Sequence, residues 1–318
     1  MVQYRSFPIR SNAEKFRRKR GSGIASLQIV AGSSNAVTGG NVVIASGSSA
    51  TSTSGEVTLS TANAGTAGSS GVMNIRTGDT VSGSSGAVVL STGASTGGSS
   101  GNIALLVGAS AQGLGGDVEV VAGSSSQAQG GSVSIAAGSS NGNVGGDVVV
   151  TAGHGLTETG GSVTLASGES ATSASGAVTI GTAHGGASGS SGVVSVGSGN
   201  SVSGSSGAIK LSSGAASGTQ SSGDISLTVG SSNTGIGGSI AMNAGDSTAA
   251  TGGGFILRAG ESVMSSGTVR LSSPASLESG DITFASGQAS TTGQVVLQSA
   301  SGVSSGGAIS LTSSASSE

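Results

Sequence analysis

The chain has 318 residues, 62 of them Gly, with 34% apolar, 8% charged and 2% aromatic residues and no Cys. Charge so far below the roughly 25% of an ordinary domain, at a mean hydropathy of +0.21, argues against a charge-rich disordered chain. The lack of Cys excludes disulfide staples and thiolate metal sites, and no apolar run approaches the ~18–20 residues that cross a bilayer.

Residues 1–23 read as a basic N-terminal arm. The net charge of −3 hides a strong asymmetry. Residues 1–20 carry seven Lys/Arg and one acid, Glu14, a net +6. The rest carries four basic and thirteen acidic side chains, a net −9. Arg17, Arg18, Lys19 and Arg20 form the densest basic run, followed by Gly21. That run has three readings: an arm that binds an acidic surface such as the body of a neighbouring copy, a dibasic processing site, or a plain solvated tail. Nucleic acid is not an expected partner, because the body is acidic and only Tyr4, Phe7 and Phe16 lie near the arm. The opening stretch "MVQYRSFPIR" lacks the apolar core of a secretory signal, so export is expected to use some other signal.

From residue 24 to 318 the chain is one repeat. A Gly precedes each apolar pair at 40, 55, 71, 86, 101, 116, 131, 146, 161, 176, 192, 207, 223, 238, 253, 267, 280, 293 and 307, and an earlier copy starts at Ala25. The spacing is 15, sometimes 16, and shortens to 13 or 14 near the end, giving about twenty repeats. With the Gly as position 1, position 3 (Val42, Val57, Met73, Val88) and position 5 (Ile44, Leu59, Ile75, Leu90) are apolar throughout. Positions 4 and 6 vary freely, as Glu119, Lys210, Arg76 and Arg258 illustrate. A period of two over a short run predicts a strand with positions 3 and 5 inward. Position 7 is Ala, Ser, Thr or Val, and position 8 is mostly Gly, where a turn is expected.

Position 9 accepts large polar residues, whereas position 10 takes only Ser, Ala, Thr or Gly and position 12 is mostly small. This pattern predicts a second inward segment facing the aliphatic one. The fold expectation is therefore all-β: a parallel β-solenoid (β-helix) with one repeat per coil, stacked at roughly 4.8 Å into a rod of about 95 Å. Two repeats per coil is the main alternative and three a further one. Two per coil would stack Asp117 on Asp147, whereas one per coil places Ser132 between them. A longer period is also visible. "SGSSGAVVLSTG" at 82–93 returns as "SGSSGAIKLSSG" at 203–214, and "GLGG" at 113–116 as "GIGG" at 235–238, an offset of about eight repeats that reads as block duplication.

Chemistry is sparse. The two His residues, His154 and His184, both fall in expected turns, and no base held by a third group accompanies the many Ser hydroxyls. His154, Glu169 and His184 share position 9 of successive repeats and form the one weak candidate for a divalent metal. An alternating charge ladder on a solvated edge is the favoured reading, because no fourth ligand is supplied. The Asp residues that follow "GG" or "SG" open the apolar run rather than a turn, so the calcium-binding spacing of some solenoids is missing. "GGASGSSG" at 185–192 lacks the Lys and helix of a phosphate loop. No catalytic residue and no cofactor are expected, and the chain is not expected to be an enzyme. A ranked Thr array for ice binding is not met, because positions 4 and 6 mix Val43, Thr58, Asn74, Val89, Ala104 and Glu119.

The phrases "SGAVVLSTG", "GGDVEVVAG" and "GGSVTLASG" resemble the Gly/Ser-rich repeats of large β-solenoid surface proteins, of the filamentous-adhesin or tail-fibre-like kind. The resemblance covers residues 24–318 and implies an adhesion, fibre or surface-layer role without assigning any residue. The functional expectation is a structural protein that assembles with itself into an extracellular fibre, sheath or surface layer, at the cell surface or as a virion or fibre component. Its partners would be further copies and cell-surface glycans. The rival readings are an adhesin or glycan-binding protein, then an ice-binding protein.

Overall fold

The computed structural model describes residues 27–274, 279–287, 293–300 and 306–313. Among them there is no helix and no β-strand. The expected all-β solenoid is overturned, with one repeat per coil and with two, since the described residues of the repeat region do not form a β-helix. The arm at 1–23, with Arg17, Arg18, Lys19 and Arg20, lies outside the described residues.

The chain divides into two halves, Met1–Val163 and Thr164–Glu318, and the same local design recurs in each. The fifteen-residue period survives as a period of bends. In the first half they fall at 35–37, 50–52, 81–83, 96–98, 111–113, 126–128, 141–143 and 156–158, with a hydrogen-bonded turn at 66–67. In the second half they fall at 171–173, 202–204, 218–220, 233–235, 248–250 and 263–264, with the corresponding turn at 187–188. The turns at 66–67 and 187–188 mark two of the sixteen-residue repeats and use the same device, Gly68 N–H to Gly65 O and Gly189 N–H to Gly186 O. They are related by the offset of the duplicated block.

Position 10 makes the bend. Its Ser side chain accepts a hydrogen bond from a backbone N–H two or three residues on. Ser110 Oγ accepts from Gly113 at 2.9 Å and Ser140 Oγ from Asn143 at 3.0 Å. In the second half, Ser170 Oγ accepts from Ser173 and Ser247 Oγ from Ala250, both at 2.9 Å. A short hydroxyl side chain offers the backbone a local partner that a ladder would otherwise supply. Position 10 is thus small because it caps a bend, and it does not line a second inward wall; its side chains are exposed.

Many of the loops are then closed at the base. The N–H of the position-1 Gly donates back to the carbonyl of position 8 in the preceding repeat: Gly40 to Gly32 at 2.8 Å, Gly131 to Gly123 at 2.8 Å, Gly161 to Gly153 at 2.9 Å and, in the second half, Gly253 to Gly245 at 2.8 Å. These bonds bring the chain back on itself over about half a repeat. They consume locally the backbone groups that a solenoid would direct at the next coil.

Closure of the base goes with Ala at position 7 and is missing with Thr or Val there, while Ser occurs in both classes. Wherever this bond joins position 1 to a position-8 Gly, position 7 is Ala or Ser, as at Ala31, Ser46, Ala122, Ala137 and Ala244. The repeats with Thr61, Thr77, Thr92, Val107, Thr182 and Val229 at position 7 do not form it. The contact geometry explains the division. A Cβ placed on Gly131 would lie 3.3 Å from both Ala122 Cβ and Gly123 N, so the two backbones already touch there. A Cβ on Gly116 would lie 2.9 Å from Val107 Cγ1, and one on Gly238 2.7 Å from Val229 Cγ1. A γ-methyl fills the gap that the Gly backbone must enter. Ser198 and Ser213 lack the bond as well, and the approach is looser there, with Ser Cβ 3.7 Å from a Cβ on Gly207 and 3.9 Å from one on Gly223.

No described residue is buried. The residues that reach intermediate cover are Ala31, Thr77, Ala122, Ala152 and Ala259, all at position 7, together with Gly155. Gly155 is held by contact rather than by φ, since a Cβ there would run into Glu158 O and lie 2.8 Å from Thr159 O. Among the described residues the one positive φ is at Gly218, +89°, in the bend of the third sixteen-residue repeat.

Candidate functional surface

The alternation read from the sequence persists between the bends, although no ladder uses it. Thr58 Oγ1 donates to Glu56 Oε1 at 2.8 Å, and Ser226 Oγ lies 3.4 Å from Thr228 Oγ1. Both contacts join residues two apart, so positions 2, 4 and 6 share one side of the run. Positions 3 and 5 take the other. Exposure is graded accordingly: Val148 at position 3 is 56% exposed, Val150 at position 5 is 74%, and Val149 between them is 80%. Position 3 is better sheltered than position 5 in every described repeat except the first and the one at Gly253, yet it is never buried. Each repeat therefore offers a pair of aliphatic side chains on one side, recurring every fifteen or sixteen residues.

The polar features do not converge. His154 lies in the first half and Glu169 and His184 in the second. Among the described residues no group of three His, Cys, Asp or Glu side chains is placed to hold a metal ion. Glu261 Oε2 accepts a 2.8 Å charge-assisted hydrogen bond from Arg258 Nη2 three residues earlier. Both partners are largely exposed, and such surface pairs contribute little. No helix among the described residues is long and apolar enough to cross a membrane.

The features that sequence reasoning missed are the closure pair, position 7 with the following Gly, and the capping hydroxyl at position 10. A signal for the first was present. A column restricted to Ala, Ser, Thr and Val, next to a position that is mostly Gly, marks a close backbone approach. Comparison with protein-family models, with curated proteins and with solved structures yields no match.

Proposed function

We propose that this chain is a structural repeat protein whose copies associate into an extracellular fibre, sheath or surface layer. The aliphatic pairs at positions 3 and 5 form the contact, and the basic arm around Arg17, Arg18, Lys19 and Arg20 engages the acidic body of a neighbouring copy. The observation that carries the reading is the apolar column left uncovered in every described repeat. The accessible surface is 32412 Å² for 29.2 kDa, against roughly 11,500 Å² for a compact chain of that mass. An interface needs only about 800 Å² per partner. Uncovered apolar side chains drive association, and a second copy supplies a column of the same spacing together with the opposite charge. The resemblance to adhesin and fibre repeats supports the same reading.

The test is sedimentation of the purified chain over a wide concentration range, with negative-stain imaging of the product. Large assemblies that weaken as salt rises fit the proposal. A monomer at every concentration refutes it, and a monomer that is captured by cell-wall glycans would favour the adhesin reading instead.

A further inference from the structure

The closing bonds fall in blocks along the chain. Gly40 and Gly55 make the bond, the four position-1 Gly residues from Gly71 to Gly116 lack it, the four from Gly131 to Gly176 make it, the four from Gly192 to Gly238 lack it, and Gly253 and Gly267 make it. Past Gly267, where the spacing shortens, Gly280 and Gly293 lack it and Gly307 makes it with Ala300. Numbered from the repeat at Ala25, the loops of repeats 3–6 and 11–14 are thus two open blocks, one in each half of the chain. Among the described residues no backbone–backbone bond involves positions 2–6 of any repeat. Within an open block the backbone from position 1 to position 8, as at 86–93 and 101–108, is therefore left to water, whereas a closed repeat has bonded one end of that stretch to the other. Charge follows a matching map. Closed repeats 7–10, residues 116–175, carry Asp117, Glu119, Asp147, Glu158 and Glu169 and no Lys or Arg, a net −5. The first open block, 55–115, carries Glu56 and Asp79 against Arg76, a net −1, and the second, 176–237, carries Asp224 against Lys210, a net 0.

We infer that the two open blocks are the surfaces through which copies meet, and that the position-1 N–H and position-8 carbonyl, bonded to each other within a closed repeat, bond across to a second copy in an open one. This rests on the association proposed above and gives it a place in the chain. Three properties favour a second copy as the occupant. A row of unpaired backbone groups is a template for another chain, and a second copy brings the same row with apolar pairs at the same spacing. The open blocks are nearly neutral and meet one another without repulsion, whereas repeats 7–10 would set five carboxylates against five. The area also suffices. Eight side chains at positions 3 and 5 of one block would cover roughly 60–120 Å² each, about 500–950 Å² in all, which spans the ~800 Å² per partner of a stable interface. Repeats 1 and 2 are uncharged as well, but their closing bonds have already used the backbone groups that a partner would take.

Val89 and Val149 make a matched pair for the test. Both stand at position 4, in open repeat 5 and closed repeat 9, and each is 80% exposed. In the full chain, Val89→Glu places a carboxylate where a partner would cover it and should raise the critical concentration for assembly, read by sedimentation, about tenfold. Val149→Glu should raise it about twofold at most. Amide hydrogen exchange supplies a second reading that needs no variant. On assembly, exchange at Gly86, Gly101 and Gly116 should slow at least about tenfold relative to the dilute chain, while exchange at Gly131, Gly146 and Gly161 stays within about twofold of its dilute value. Equal effects of the two Glu variants, or protection on assembly that is shared evenly between the two sets of Gly or confined to the second, overturns the open blocks as the contact while leaving association standing. Absence of any assembly in sedimentation overturns both.

Discussion

Ala122→Val tests the closure of the loop base. In the native chain Gly131 N–H donates to Gly123 O at 2.8 Å, across a gap in which a Cβ on Gly131 would lie 3.3 Å from Ala122 Cβ. Valine adds two γ-methyls to that wall. At Gly116, where Val107 already stands, a γ-carbon comes within 2.9 Å of the same place and no closing bond forms. Ala122→Val is therefore expected to break the Gly131 bond. Both bonded residues are exposed, so the net loss belongs at the lower end of the range for an intramolecular hydrogen bond, about 0.5–1 kcal/mol. Amide hydrogen exchange at Gly131, in a sample dilute enough to suppress association, should accelerate roughly two- to fivefold. The reciprocal change, Val107→Ala, should slow exchange at Gly116 by a similar factor, because position 8 there is already Gly108. If Gly131 exchanges at the native rate in the valine variant, or Gly116 is unmoved in the alanine variant, side-chain size at position 7 does not control closure.

Four other outcomes follow from the same geometry. Ser110→Ala removes the acceptor for Gly113 N–H and should raise exchange at Gly113 about two- to fivefold with little effect on Gly98 or Gly131. Gly155→Ala places a methyl against Glu158 O and Thr159 O and should shift the chemical shifts of 153–160 while leaving those around Gly131 in place. Val88→Ser with Leu90→Ser removes one aliphatic pair, each member worth roughly 1.5–3 kcal/mol when fully covered, and should raise the critical concentration for assembly at least about tenfold in sedimentation. Deleting residues 1–20 removes a net +6; it should weaken association and flatten its salt dependence, because the charges it would have paired are screened over about 10 Å at 0.1 M salt.

Part of this architecture was legible in the sequence. The period and the two-sidedness of the apolar run follow from spacing, and the Thr58–Glu56 contact bears out the sidedness; the turn expected at position 8 falls instead at positions 11–13, as at 96–98 and 111–113. The step from alternation to a stacked β-sheet did not hold. Alternation reports only that neighbouring side chains point to opposite sides, and an extended run has that property with or without a partner backbone. Whether a partner exists depends on where the N–H and C=O groups go, and here the position-1 Gly sends its N–H back to position 8 of the preceding repeat. The small residues at position 10 were open to two readings for a related reason. Ser fits a crowded interior, and it also folds its hydroxyl onto nearby backbone; at Ser110 and Ser140 the second applies. The position-9 column misled similarly, since lining up His154, Glu169 and His184 presumes the stacking that the backbone does not make.

The closed loop base carries a consequence for how such a chain can change length. Its atoms lie within a single stretch of eight or nine residues, so the cycle is complete without reference to any other part of the molecule. Unequal exchange between gene copies could add or delete whole multiples of fifteen codons and leave every surviving cycle intact. The matching turns at 66–67 and 187–188 fit a past event of that kind, and tolerance for such events makes contour length a quantity that selection can tune in discrete increments.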